Sequence, residues 1–245
     1  MDLDSIKRLR WPDDRETAKR LEGILRKRVR IEPLGKAPAF VAGVDAAFFD
    51  DKIVAVACLY EYPGLTPVQE AHAVREVSFP YIPGLLSFRE GPAVMDAIKK
   101  LGVKPGVVIF DGQGIAHPRG LGIASFAGVL LNIPSVGCAK SRLVGSYSEP
   151  GRKKGCWSPL EYEGRVVGAV LRSQNSTRPV FVSPGHRIDL AGSMEIVLKC
   201  TGRYRVTEPV RRADRLTKSL KLELLGGVES QRGERISGGD NKTRF

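Results

Sequence analysis

Cysteine and histidine are scarce in this sequence, which limits the metal sites and the redox chemistry it can support. The 245 residues include only three histidines and four cysteines, Cys58, Cys138, Cys156 and Cys200. The cysteines are widely dispersed, with no C-x-x-C pair and no pair of histidines near one of them. We therefore expect neither a zinc site nor a disulfide framework, and buried thiols are the simpler role.

Long apolar runs are also missing. No segment approaches the roughly 18 consecutive apolar residues that a membrane span requires. The N-terminal residues MDLDSIKRLRWPDD contain no apolar core of a signal peptide. We expect a soluble, cytoplasmic protein with no membrane partner. A hydrophobic content of 42% and a charged content of 27% are ordinary for a globular domain.

Several catalytic signatures are absent as well. The sequence has no G-x-x-x-x-G-K-[ST] and no G-x-S-x-G, which disfavours P-loop ATP hydrolysis and α/β-hydrolase chemistry. Gly112 and Gly114 follow an apolar run, but His117 stands where a dinucleotide fingerprint needs its third glycine, and Pro118 comes next. These glycines are better explained as places where the backbone approaches a flat ligand closely.

Charge is abundant but unevenly distributed. The formal net charge is +12. Residues 31–139 carry eight basic and ten acidic side chains, whereas residues 140–220 carry sixteen basic and seven acidic ones. A slightly acidic centre followed by a basic segment is typical of a protein that holds a polyanion against a carboxylate site. The alternative is that the excess lysine and arginine only keep the surface soluble.

Hydrophobic periodicity predicts three antiparallel strands followed by alternating helices and strands. The predicted strands are 40–48, 53–60, 68–77, 107–111, 135–138 and the hairpin 157–162 with 165–172. The predicted helices are 13–29, 87–101, 121–131, 189–200 and 209–222. This order favours an α/β fold, a ribonuclease H-like mixed β-sheet flanked by helices. Residues 1–225 are expected to form one domain and residues 226–245 a disordered tail.

Three carboxylates, taken together, occupy positions where a metal-binding role is more plausible than a purely structural one. Asp45 interrupts an apolar strand, Asp111 ends the apolar run VVIFD, and Glu90 lies near the start of the preceding helix. The predicted topology makes the strands of Asp45 and Asp111 neighbours, with Glu90 above them. Carboxylates without histidine or cysteine suit Mg²⁺ or Mn²⁺. Each alone is more readily explained as a cap or a solvated side chain, whereas the three together favour a metal site.

Other candidates surround this group. Tyr81 lies between prolines in FPYIPG, so it is either a rigid aromatic wedge or a ring packed under a turn. Lys140 follows a short strand and is a candidate phosphate contact. His117 could contact phosphate or assist catalysis, or simply pack in its loop. Asp214 stands among three arginines and could either complete a metal site or pair with its neighbours.

Six segments, in this order and spacing, closely resemble the endonuclease V family. They are VAGVDAAF, FPYIPGLLSFRE, VVIFDGQGIAHPRGLGIA, IPSVGCAKSRL, VSPGHRIDL and PVRRADRLTK. The resemblance spans roughly residues 13–222. The resemblance implies a ribonuclease H-like fold and a requirement for Mg²⁺, with Mn²⁺ as a substitute. It also implies recognition of hypoxanthine (deaminated adenine) in DNA, and in some members of inosine in RNA, with cleavage of the second phosphodiester bond on the 3′ side.

The resemblance also assigns roles to individual residues. It implies that Asp45, Glu90 and Asp111 bind metal, with Asp214 as a fourth ligand or outer residue. Tyr81 resembles the wedge that separates strands, Lys140 the lysine near the scissile phosphate, and His117 the histidine of D-G-x-G-x-x-H-P-R. The pocket for the flipped base would be formed largely by backbone, by residues Pro83, Gly84, Leu85, Leu86, Gly112 and Gly122. Arg211 and Arg212 depart from the family's usual approach to its last motif, which leaves the role of Asp214 open.

Two other functions are compatible with the same sequence. The first is a ribonuclease H-like junction resolvase or general nuclease, whose cleavage would depend on branch structure or hybrid identity rather than on inosine. The second is a non-catalytic nucleic-acid-binding protein that uses the basic surface of residues 140–220. A monomer is expected in each case.

Overall fold

The computed structural model describes residues 11–237, and the side chains of residues 11–226. One mixed β-sheet of eight strands forms the centre of the molecule. Its strands are β1 (Phe40–Phe49), β2 (Lys52–Glu61), β3 (Pro67–Glu76), β4 (Val107–Phe110), β5 (Ser135–Ala139), β6 (Trp157–Tyr162), β7 (Arg165–Leu171) and β8 (Val180–His186). The helices are α1 (Arg15–Arg26), α2 (Leu86–Lys99), α3 (Ile123–Leu131), α4 (Leu190–Lys199) and α5 (Glu208–Ser237).

The strands lie in the order β3-β2-β1-β4-β5-β8-β7-β6. The strands β1, β2 and β3 pair antiparallel, while β4 pairs parallel with both β1 and β5. The remaining neighbours, β5 with β8, β8 with β7 and β7 with β6, are antiparallel. The predicted α/β fold is therefore confirmed, including the expected placement of the first strand beside the strand that follows α2.

Both faces of the sheet are covered by helices, as the apolar strands require. One core layer joins the sheet to α1, α2 and α3, with Leu25, Phe88 and Phe126 among its fully buried side chains. The opposite layer joins the sheet to α4 and α5 and includes Val197 and Val210. Because side chains alternate along a strand, β1 contributes to both layers. The candidate site therefore lies where these two layers meet the ends of the central strands.

Two elements differ from the sequence prediction. The strand β8 was not predicted, because the segment VFVSPGH contains Pro184 and Gly185, which are uncommon inside strands. Helix α5 continues to Ser237, beyond the helix end predicted at residue 222. Leucine, lysine and glutamate fill residues 220–225, and these side chains favour continuation of a helix. Residues 238–245 of the predicted tail lie outside the described residues.

In the part of the chain that the structure covers, every helix falls short of the length and apolar character that crossing a bilayer demands.

Candidate active site

Three carboxylates from distant parts of the sequence converge at the centre of the sheet. Asp45 lies in β1, Asp111 directly follows β4, and Asp214 lies in α5. One oxygen from each lies within 4.8 Å of those of the other two. The β1–β4 register explains the first pair, since Val44 is opposite Phe110 and the next residues are the two aspartates. The structure thus makes Asp214 a full member of the cluster.

A glycine brings the third carboxylate into place. Gly43 lies two residues before Asp45, so both face the same side of the sheet, the side that α5 covers. A β-carbon on Gly43 would lie 2.1 Å from the carbonyl carbon of Pro209, near the start of α5. Only glycine allows the helix to approach β1 this closely. Asp214, about one and a half turns further along α5, is then held beside Asp45.

Burial and mutual repulsion raise the proton affinity of the carboxyl groups. Burial raises the pKa of Asp45 to about 7, with further contributions from the charges of Asp111 and Asp214. Burial also raises the pKa of Glu90 to about 7, and the charges of Asp45 and Asp111 add to it. Like charges held together in a half-buried site need a cation or protons to balance them. The cluster is therefore electrostatically suited to a divalent cation.

Glu90 joins this group from the opposite face of the sheet. It lies in the second turn of α2, which packs on the layer formed with α1 and α3. The three carboxylates whose oxygens lie within 4.8 Å of one another are Asp45, Asp111 and Asp214, without Glu90. The charges of Asp45 and Asp111 nevertheless affect Glu90, and Glu90 shares a cavity with Asp111. Its role as a metal ligand remains a prediction.

Lys140 lies against the same cluster. Its Nζ is 2.5 Å from Oδ2 of Asp111 and 3.5 Å from Oδ1 of Asp214. Partial burial lowers the pKa of Lys140, but the hydrogen bond to Asp111 and the surrounding carboxylates outweigh that effect and raise it above its ordinary value. The side chain is therefore an ammonium at neutral pH, placed at the end of β5 beside two candidate metal ligands.

Asp214 also receives a hydrogen bond from its own helix. Nζ of Lys218, four residues later, donates to Oδ2 of Asp214 over 2.7 Å. Burial raises the pKa of Asp214, but Lys218 and Lys140 outweigh it, and the pKa lies below its ordinary value. Asp214 is thus placed both to join a metal site and to pair with basic neighbours, the two roles that its sequence context allows.

A cavity of about 540 Å³ opens beside this cluster, and we call it the base cavity. It is lined by both charged and apolar groups, including Tyr81, Gly84, Leu86, Glu90, Asp111, Gly112, His117, Gly122 and Lys140. Nine of the residues singled out from the sequence are thus brought to one cavity. A mixture of apolar walls with a few convergent polar groups is typical of a ligand site.

Tyr81 is exposed at the rim of the base cavity, with 70% of its surface accessible. The guanidinium of Arg89 lies 5.7 Å from the centre of its ring and 4.8 Å from that of Phe48, at the end of β1. The ring is therefore presented to the outside and contacts a cation held against the sheet. This excludes the simpler interpretation of a ring buried under the proline turn.

His117 is buried and uncharged at neutral pH. Burial lowers its pKa to about 4, and the charge of Arg119 adds to this. Its Nδ1 accepts a hydrogen bond from the backbone N–H of Arg119 over 3.3 Å, which leaves the ring proton on Nε2. The side chain of Arg119 donates to Glu22 and to the carbonyl of Gly84, so it joins α1 to the loop before α2. His117 can thus act as a neutral hydrogen-bond donor, not as a cation.

The backbone of the cavity is held by tight contacts between loops. A β-carbon on Gly122 would lie 2.3 Å from the carbonyl oxygen of Gln113. The N–H of Gly122 donates to Gly114 and that of Gly112 to Phe110, each over 2.9 Å. Both donors are therefore engaged inside the protein. The next N–H group belongs to Ile123, the first residue of α3. The N–H groups in the first turn of a helix have no acceptor within the helix.

Some predicted residues lie elsewhere, and some cavity residues were not predicted. Pro83 is not among the side chains that line the base cavity, and the Leu85 side chain is buried in the core at the start of α2. Gln113, Ile123 and Arg142 line it and were missed. Their positions gave a signal, since each lies within two residues of a predicted one.

Comparison with known proteins agrees with this geometry. A family model described as Endonuclease V matches residues 24–215. Endonuclease V of Geotalea uraniireducens is 48% identical over 216 residues, covering 88% of this chain and 92% of that protein. Endonuclease V of Dictyoglomus turgidum is 46% identical over 211 residues, covering 86% and 92%.

Solved structures show the same similarity. The crystal structure of endonuclease V from Streptomyces avermitilis aligns with a TM-score of 0.84 at 43% identity, covering 88% of this chain and 96% of that one. Endonuclease V of Ciona intestinalis, solved with a 24-mer DNA that contains an inosine followed by a ribo-adenosine, aligns with a TM-score of 0.73 at 25% identity, covering 85% and 98%. The match extends over β1, β4, β5 and the start of α5, which carry the carboxylates and Lys140, and this chain belongs to the endonuclease V family.

Proposed function

We propose that this chain is a divalent-metal-dependent endonuclease that recognises hypoxanthine in DNA. It hydrolyses the second phosphodiester bond on the 3′ side of the lesion, as an activity in DNA repair. The observation that carries the proposal is the position of the carboxylate cluster and Lys140 at the base cavity. The Ciona relative, solved with inosine-containing DNA, supports the choice of ligand.

The carboxylates fit Mg²⁺, with Mn²⁺ as a substitute. Asp45, Asp111 and Asp214 offer hard oxygen donors within a small volume, and Glu90 lies close enough to be affected by their charge. These carboxylates would hold the cation, which when bound would lower the pKa of water and neutralise charge on the phosphate. Binding of the cation also displaces the protons that Asp45 and Glu90 hold near pH 7.

The reaction is a hydrolysis in which the strand is cut without a covalent enzyme intermediate. The oxygen of water forms a bond to phosphorus while the bond from phosphorus to the 3′ oxygen breaks. The 3′ oxygen leaves as a hydroxyl group, and the phosphate remains on the 5′ end of the other product. The ammonium of Lys140, already hydrogen-bonded to Asp111, stabilises the negative charge on the phosphate oxygens as the bond order changes.

Lesion recognition uses the backbone that lines the base cavity. Hypoxanthine presents an acceptor at O6 and a donor at N1, whereas adenine presents the reverse pattern. The N–H of Ile123, which as the first residue of α3 has no acceptor within its own helix, is the candidate donor to O6, and adenine would place its amino group against the same donor. A backbone donor discriminates strongly once the base fills the cavity, because the wrong base leaves it unpaired.

Extrusion of the base requires that its place in the stack be filled. Tyr81 is the ring suited to this role, since it is exposed at the rim and contacts Arg89. The weak pairing of hypoxanthine lowers the cost of extrusion, which adds to selectivity. Inosine in RNA is the alternative substrate, and the ribo-adenosine that follows inosine in the Ciona complex favours tolerance of a ribonucleotide there.

The test is cleavage of a labelled strand with one deoxyinosine in Mg²⁺, by the wild-type chain and by Asp111→Asn. We expect cutting by the wild type, cutting slower by about 1,000-fold or more in Asp111→Asn, and retained binding in both. Cutting that ignores inosine would instead favour a junction resolvase or general nuclease. Absence of cutting in both Mg²⁺ and Mn²⁺ would favour the non-catalytic binding protein.

A further inference from the structure

A second cavity opens on the other side of the carboxylate cluster, and we call it the arginine cavity. It has a volume of about 360 Å³ and is lined by Lys140, Thr177, Arg203, Tyr204, Arg205, Val206, Arg211 and Asp214. Lys140 lines both cavities, with Asp111 in the base cavity and Asp214 in the arginine cavity. The cluster therefore lies where the two cavities meet.

Tyr204 is the aromatic group of this second cavity. The residue is 49% exposed, although it lies in a loop that is otherwise well anchored. The guanidinium of Arg211 lies 4.1 Å from the ring centre and is itself held by Glu208, over 3.0 Å. The guanidinium of Arg203 also lies 5.9 Å from the ring centre, so two cations contact the ring while about half of the residue's surface is accessible.

The loop that carries Tyr204 is fixed on both sides of this residue, at Arg205 and at Gly202. Nη1 of Arg205 donates to the carbonyl of Pro179 over 2.9 Å, and Ser173 donates to the carbonyl of Arg205 over 2.6 Å. The side chain of Gln174 donates to the carbonyl of Gly202. A ring held in this way loses little conformational entropy when a ligand stacks on it, which makes stacking more favourable.

We propose that Tyr204 is a stacking platform for the nucleotide that follows the scissile phosphate on its 3′ side. This inference rests on the proposed function, which places the lesion in the base cavity and the scissile phosphate at Lys140. The strand then has to continue away from the base cavity. A cavity of about 680 Å³ also adjoins Lys140, but the arginine cavity is the one of the two that is lined by a carboxylate of the cluster, Asp214. Its cationic lining attracts the phosphates, and an exposed ring stacks bases of any sequence.

The experiment tests whether the base of this nucleotide stacks on the ring of Tyr204. A single strand with one deoxyinosine is compared with the same strand that lacks the base of the second nucleotide 3′ of the inosine. Fluorescence anisotropy gives the affinity of each strand for the wild type and for Tyr204→Ala, in EDTA so that the strand is not cut. In Mg²⁺, Tyr204→Ala should raise KM more than it lowers kcat.

Loss of the base should weaken wild-type binding by about 5- to 100-fold, which corresponds to the usual strength of one aromatic stack. The same loss should change binding by Tyr204→Ala less than twofold, while Tyr204→Phe should behave as the wild type does. Trp157→Ala, which removes a ring of similar exposure (47%) on β6, should leave binding unchanged. Tyr204→Leu replaces Tyr204→Ala if the alanine variant unfolds.

If removal of the base lowered the affinity of the wild type and of Tyr204→Ala equally, the proposed stacking on Tyr204 would be wrong, even if the chain cuts at inosine. A Tyr204→Ala protein that binds the complete strand as tightly as the wild type would overturn it as well. The proposed function fails on a different result, the absence of any preference for inosine in the cleavage assay.

Discussion

The ammonium of Lys140 and the carboxylate of Asp111 are 2.5 Å apart, and this contact joins the candidate metal ligands to the candidate phosphate contact. A lysine so close to a metal ligand has two effects that oppose each other. It lowers the negative charge that attracts a divalent cation, and it supplies positive charge for the phosphate in the transition state. Substitution of Lys140 by a neutral residue should therefore strengthen binding of the metal and slow cleavage.

Lys140→Met should bind Mn²⁺ more tightly than the wild type at pH 8 and cleave about 100-fold more slowly. Isothermal titration calorimetry measures the first effect and single-turnover cleavage the second. Lys218→Met is the matched control, because Lys218 also pairs with the cluster, through Asp214, and its side chain is 69% exposed. Its cleavage rate should stay within about threefold of the wild type. Weaker metal binding by Lys140→Met would contradict the arrangement.

Asp45→Asn should stabilise the metal-free protein at pH 8 while abolishing cleavage. The folded state raises the pKa of Asp45 to about 7, so folding favours the protonated carboxyl and its contribution is lost as the pH rises from about 4 to above 7. Asparagine stays neutral throughout. In EDTA the stability of the variant relative to the wild type should be about 1–3 kcal/mol greater at pH 8 than at pH 5.

Thermal unfolding of both proteins at the two pH values checks this prediction. His117 contributes with the opposite sign, since its lowered pKa makes the protein lose stability as the pH falls from about 6.5 to 4. That contribution is present in both proteins and cancels in their difference. A stability difference that shrinks between pH 5 and pH 8 would be inconsistent with a buried, repelled carboxylate at this position.

The affinity for the cation should depend on pH in the same range. Asp45 and Glu90 each have a pKa near 7, so a cation must displace protons from them below that value. We expect the dissociation constant for Mn²⁺ to increase by about 10-fold or more between pH 8 and pH 5.5. Calorimetry in two buffers of different ionisation enthalpy should also detect proton release at pH 6. Affinity that is constant over this range would argue against a coupled carboxyl cluster.

Gly122→Ala should damage the base cavity. The added methyl group would lie 2.3 Å from the carbonyl oxygen of Gln113, so the loop before α3 has to move. We expect a loss of about 1–3 kcal/mol in stability and a large loss of preference for inosine. Gly23→Ala, in α1 with no atom within 4 Å of the added carbon, is the control and should be neutral or slightly stabilising. If Gly122→Ala kept its preference for inosine, the backbone around Gly122 would not be the part of the protein that recognises the base.

Tyr81→Ala should weaken binding to inosine-containing duplex without lowering the melting temperature, because the ring is 70% exposed. The expected loss is about 5- to 100-fold for duplex and smaller for a single strand, in which no partner base has to be separated. Anisotropy on both substrates gives the comparison. An equal loss on the two substrates would mean that the ring contacts the strand without acting as a wedge.

Local sequence patterns were sufficient for the two aspartates in the sheet. Asp45 interrupts an apolar strand and Asp111 ends one, and both patterns depend only on neighbouring residues. Parallel pairing of β1 with β4 then follows from the element order, and it places the two carboxylates together. Tyr81 was singled out for a similar reason, since prolines on both sides favour a rigid loop, and its role as a wedge stays a prediction.

Tertiary packing decided what the sequence left open. The position of Asp214 depends on the approach of α5 to Gly43, a contact between segments more than 160 residues apart that periodicity does not encode. Strand β8 was missed because its proline and glycine are unfavourable in isolated strands, yet it pairs on both sides with β5 and β7. The arginine cavity likewise depends on the packing of the loop around Tyr204 against β8 and α5.

The central claim is recognition of hypoxanthine, and it is tested most directly by paired strands that differ only in inosine or adenosine at one position. Initial cleavage rates should be measured in Mg²⁺ with the products mapped to the nucleotide. We predict cutting of the inosine strand at the second phosphodiester bond on the 3′ side, at least about 100-fold faster than any cutting of the adenosine strand. Equal rates on the two strands would contradict the account.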